Sequence, residues 1–132
     1  MKTPYILTFV GILALALYSF TSEFQEEWVV PEKYVNMKNP TDPKVDLAIG
    51  KSLYNKHCKS CHGKEGYGDG PKADEMTGDL GDFSSAEYQA QTDGELFYKS
   101  SFGRDDMPEY TKKMPDDEDR WLIVNYMRTL AE

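Results

Sequence analysis

The sequence predicts an all-α domain preceded by an apolar N-terminal helix, and three observations carry that reading. Apolar residues recur at helical spacing in two long stretches, one through Leu47, Leu53 and Tyr54 and one from Trp121 to Leu130. Two pairs, Ser84 with Glu87 and Thr92 with Glu95, have the form of capping boxes that start helices. No stretch alternates polar and apolar residues long enough to make a strand. A chain of 132 residues has room for one hydrophobic core, so whatever it does is done at one site.

The first element is the apolar one. After Lys2, residues Tyr5 to Tyr18 carry no charge over 14 positions. That length fits the roughly 7–15 residues of a signal-peptide core and falls short of the ~20 that span a bilayer. Ser19-Phe20-Thr21 is a weak cleavage signal and no Ala-x-Ala is present. Residues 1–22 are therefore read as a signal peptide or an uncleaved membrane anchor, with Tyr5, Tyr18 and Phe20 as interfacial aromatics in the second case. Both place the rest of the chain outside the cytoplasm.

Residues 23–45 hold Pro31, Pro40 and Pro43 without sustained periodicity, the pattern of a linker or surface strap. Trp28-Val29-Val30 within it is costly to expose, so it is expected to pack on the domain or on a partner. The folded domain is assigned to residues 46–132. Asp42-Pro43 reads as cap and first turn of a helix that runs through Leu47, Gly50, Tyr54 and His57 into the Cys motif. The two capping boxes open two short helices, the second carrying Leu96, Phe97 and Phe102 and ending at Gly103. Pro115 and the acids Asp116 to Asp119 suit the start of the last helix, where negative charge meets the positive helix end.

Net charge is −8, from 15 basic and 23 acidic residues. That sign disfavours nucleic acid as a partner, and it suits equally docking to a basic protein surface or simply keeping the protein in solution.

The chemistry lies in His57-Cys58-Lys59-Ser60-Cys61-His62, which contains both cysteines and both histidines of the chain. In an exported protein, Cys-x-x-Cys-His is the attachment pattern of c-type haem. On a helix, Cys58, Cys61 and His62 share a face, so two thioethers and one iron ligand can address a single flat group. A zinc site would need ligands from elsewhere in the chain, and the chain has no other Cys or His. A thioredoxin-like dithiol wants a strand before its helix, and a structural disulfide across so short a loop would be strained. His57 adjoins Cys58 and cannot reach the opposite side of the group, so it is expected to be a surface or packing residue. The opposite ligand is then a methionine, another residue or none. Met107, in a loop between two helices and followed by Pro108, is the chosen candidate. Met114 is its main rival, while Met76 and Met127 read as surface or core.

These residues resemble class I c-type cytochromes, the small bacterial monohaem cytochromes c of respiratory electron transfer. The resemblance rests on Gly50-x-x-x-Tyr54-x-x-x-Cys58, Cys58-Lys-Ser-Cys61-His62-Gly63, Gly66-x-Gly-Asp-Gly-Pro71, Asp93-Gly-Glu-Leu-Phe97, Met107-Pro108 and Trp121 through Tyr126 to Arg128. It implies a cytochrome c fold of three to five helices around one covalently bound haem, with first and last helices crossing at Gly50, Tyr54 and Tyr126. It also implies that the Pro71 carbonyl accepts a hydrogen bond from His62. The cofactor implied is one haem c (iron), held by Cys58 and Cys61, with His62 and Met107 on the metal. The activity implied is single-electron transfer on the periplasmic side of a bacterial inner membrane, from a quinol-oxidising complex to a terminal oxidase, with no small-molecule substrate. A fixed haem subunit of a larger respiratory or dehydrogenase complex is the alternative, and a gas-binding sensor a more distant one. The chain departs from mitochondrial relatives in its acidity and in the strap.

Overall fold

The structure is a computed structural model that describes residues 27–131. The proposed signal or anchor, residues 1–22, lies outside the described residues. Among those described there is no strand, and no helix is long and apolar enough to cross a membrane.

Three helices longer than two turns build the domain: α2 (Leu47–His57), α5 (Asp93–Phe102) and α6 (Asp117–Arg128). Single turns α1 (Glu32–Val35), α3 (Lys59–His62) and α4 (Ala86–Gln89), and a 3-10 turn at Ala73–Glu75, complete the described helices.

Helices α2 and α6 make the most extensive contact, and Gly50 shows why they can. A Cβ built there would stand 2.1 Å from the Leu122 carbonyl oxygen, so only a residue without a side chain lets the two backbones touch. One turn on, the rings of Tyr54 and Tyr126 pack 5.1 Å apart, as the resemblance implied. Helix α5 closes the third side by stacking Phe97 on Trp121 at 4.0 Å. Tyr54, Leu96, Ile123 and Val124 are completely or almost completely buried between these helices.

Helix starts follow the capping chemistry unevenly. Thr92 and Glu95 form the full reciprocal box at the start of α5, and Asp116 caps α6. The expected Ser84 box is shifted by one residue: the Ser84 hydroxyl bonds to Asp82 at 2.7 Å, leaving Ser85 to accept from the Tyr88 amide. Asp42-Pro43 does not start α2 either. The Asp42 carboxylate accepts from the Lys44 amide in a local turn, and the helix begins after Asp46, whose φ of 60° turns the chain.

Residues 23–45 are the segment read as a linker or surface strap. From residue 27 onward the segment is laid on the domain. Thr92 Oγ1 donates to the Val35 carbonyl at 2.9 Å, and Tyr34 packs its ring on Tyr98 at 4.8 Å and Phe102 at 5.5 Å. Gly94 makes room for it, since a Cβ there would lie 1.8 Å from the Tyr34 carbonyl oxygen. Further along, Asn39 and Thr41 hydrogen-bond to buried Asn125 of α6, at 2.7 and 2.8 Å.

Candidate functional site

The Cys-x-x-Cys-His run sits where α2 hands over to α3. The Cys58 amide still donates to the Tyr54 carbonyl at 2.8 Å, and the His62 amide donates to the Cys58 carbonyl at 3.0 Å. This near-continuous helical path puts Cys58, Cys61 and His62 on the wall of one cleft. The cleft holds about 100 Å³. Neither cysteine is in a disulfide. Burial, helped by Cys61, pushes the Cys58 thiol up to about 12. That is opposite to the lowered value a dithiol nucleophile needs, and it weakens the oxidoreductase alternative.

His62 is 9% exposed, and its ring lies 4.6 Å from that of Phe83. Its Nδ1 is 3.0 Å from the Leu80 carbonyl oxygen. A carbonyl can only accept, so Nδ1 carries the proton and the lone pair is left on Nε2. Burial lowers the pKa of His62, with the Leu80 bond acting in the opposite sense, so the neutral ring is favoured. The ring is thereby oriented and kept basic at the nitrogen that could bind a metal.

The acceptor expected at Pro71 is thus Leu80. Pro71 is exposed in the turn that closes α3, where the flanking Gly70 and Lys72 amides return to the Cys61 and Ser60 carbonyls. Leu80 reaches His62 because the loop from Asp79 folds back on the glycine-rich turn. The Phe83 amide donates to the Gly66 carbonyl at 2.8 Å, and the Asp79 carboxylate turns the chain by accepting from the Gly81 amide.

Met107 lines the same cleft, presented by a tight turn. Arg104 and Met107 exchange backbone hydrogen bonds of 3.0 and 2.8 Å, with Asp105 in the left-handed region at φ 52°. The turn is tied down nearby. The Asp106 carboxylate accepts from the amide and hydroxyl of Thr77, bonds that hold it below the usual carboxylate range. Tyr110 donates its amide to the Ser101 carbonyl and its hydroxyl to the His57 carbonyl. His57 thus serves as a packing residue, edge-on to the Tyr110 ring.

The rival methionines separate by position. Met114 is 4% exposed in the core, and its carbonyl accepts from Arg120. Met127 is buried on α6, where its sulfur accepts from the Tyr88 hydroxyl at 3.2 Å. Met76 does line the cleft. A neighbouring pocket, however, is lined by His62 and Met107 but not by Met76, so Met107 faces both spaces and Met76 only one.

One residue of this site was not assigned to it from the sequence. Trp28 lines both spaces. Its apolar run signalled that something must cover it, but a strap residue carries no mark of which surface that is.

The donor set fits a covalently attached haem: two thiols one helical turn apart, an adjacent imidazole with its Nδ1 fixed, and a thioether on the same cleft. The family model for cytochrome c matches residues 47–131. No curated protein matches. Among solved structures, a chain of the reducing HAO-like protein complex of Kuenenia stuttgartiensis is similar over 83% of this chain, at 28% identity and a TM-score of 0.61. The match spans about half of that chain, 53% of its length. The fold, the cleft and the matched family agree, and the chain belongs to the cytochrome c family, whose domain carries electrons on covalently bound haem.

Proposed function

We propose that the protein holds one haem c through Cys58 and Cys61, with His62 Nε2 and the Met107 thioether as the two metal ligands, and that it carries single electrons between redox proteins. The observation that carries this reading is the convergence of Cys58, Cys61, His62 and Met107 on one cleft. The bound haem supplies a one-electron couple. The chain's part is to fix the His62 tautomer through Leu80, to bring a thioether from the 104–107 turn, and to exclude water with an apolar lining. Methionine as second ligand favours the reduced state and a relatively high potential. That suits transfer from a quinol-oxidising complex to a terminal oxidase, on the periplasmic side of a bacterial inner membrane. The apolar segment at residues 5–18 supports export, as a cleaved signal or as an anchor. The test is Met107→Ala: the methionine-to-iron charge-transfer band of the oxidised protein should vanish, and its survival would refute the ligand assignment.

A second reading makes the protein a fixed haem subunit. Its support is that the similar structure is a chain of a complex and is longer than this one. A stable assembly surviving detergent extraction and sizing would favour it, whereas a free monomer would count for the carrier.

A further inference from the structure

Trp28 lies outside residues 47–131, the span of the family match, yet it forms part of the cleft wall. Two cations approach its ring, the Arg104 guanidinium at 4.6 Å from the ring centroid and the Lys99 ammonium at 5.7 Å. Both contacts are within the ~6 Å reach of cation–π attraction. Lys99 is fixed in turn by donating to the Gln91 side chain. Four residues after Trp28 the chain enters α1, which is anchored on α5 through Val35 and Tyr34. The indole is therefore carried by a docked piece of chain.

Arg104 is also the residue whose backbone pairs with Met107 at both ends of the turn. A continuous line of contacts thus runs from the strap, through Trp28 and the Arg104 side chain, to the backbone that presents the Met107 sulfur. We infer that Trp28 is a positioning residue for Met107: the strap clamps the 104–107 turn so that the thioether stays seated in the cleft. This rests on the reading of Met107 as a metal ligand. It gives the strap a defined role, control of how readily the methionine side of the site opens.

The test uses the full-length, haem-loaded protein and measures the affinity of the oxidised form for added imidazole, which must displace the methionine to bind. Removing two cation–π contacts costs the methionine-seated state about 1–2 kcal/mol, so Trp28→Ala should raise that affinity about 5- to 30-fold. Trp28→Phe keeps a ring for both cations and should leave the imidazole affinity close to that of the native protein. In a Met107→Ala background no thioether remains to seat, and Trp28→Ala should then change imidazole affinity less than twofold, because the two positions act as one unit. Equal gains in both backgrounds would mean that Trp28 only blocks access, and no gain in either would mean that the strap is irrelevant to the site. Both results overturn the inference. If Met107→Ala keeps the charge-transfer band, the ligand assignment itself has failed and the clamp falls with it. If that band is lost while Trp28→Ala behaves as the native protein, the ligand stands and only the clamp is refuted. Arg104→Lys, which keeps the charge but loses the flat face, offers the same test from the other side should Trp28→Ala accumulate poorly.

Discussion

The His62 wall of the cleft is made from one continuous piece of chain, whereas the Met107 wall is assembled from several. Cys58, Cys61 and His62 follow one another on the helical path from α2 to α3, and a single backbone carbonyl, that of Leu80, completes the imidazole's setting. Met107 sits on a turn that depends on Thr77, Tyr110, Arg104 and, through Arg104, on Trp28 of the strap. One wall is local in sequence and fixed by helix geometry. The other is non-local, assembled from residues far apart in the sequence. An electron carrier gains from such a division, because permanent attachment and adjustable ligation are then set by different residues.

Substitutions on the first wall should be all-or-none. Cys58→Ser combined with Cys61→Ser should abolish covalent haem, read as loss of colour from the chain after acid–acetone extraction. On the second wall the effect should be graded: Met107→Ala should keep the haem attached, lower the midpoint potential and admit carbon monoxide to the reduced protein. Haem lost outright from Met107→Ala would break the comparison.

Smaller effects should report on the frame behind the walls. Gly50→Ala drives a methyl group into the Leu122 carbonyl and should cost about 1–3 kcal/mol in denaturant unfolding, typical of overpacking. Gly94→Ala pushes on the Tyr34 carbonyl instead. It should loosen the strap, seen as faster proteolysis before Leu47, and leave the α2–α6 crossing unchanged. Thr92→Ala removes the cap of α5 and should cost only about 1 kcal/mol.

The same contrast explains what the sequence made legible. Cys58, Cys61 and His62 could be read because their spacing is the helix repeat, and Thr92 with Glu95 because a capping box is a contact three residues long. Leu80 could not, since its contribution is a backbone carbonyl that every residue carries, and the fold-back from Asp79 to Phe83 decides which one arrives. Pro71 was named in its place from resemblance, and the turn it occupies faces solvent. Trp28 signalled only that it needed cover. Its site lies more than 70 residues away at Arg104 and Lys99, a pairing with no periodicity to betray it. The start of α2 was placed too early because Asp42 satisfies a turn of its own.

The central claim is that this chain carries one haem bound covalently at Cys58 and Cys61. Intact mass under denaturing conditions, on protein purified from its native membrane fraction, tests it directly and reports the state of residues 1–22 as well. The expected result is a chain heavier than its polypeptide by the mass of one haem, with no titratable thiol. A mass equal to the bare polypeptide, with two reactive thiols, would contradict it.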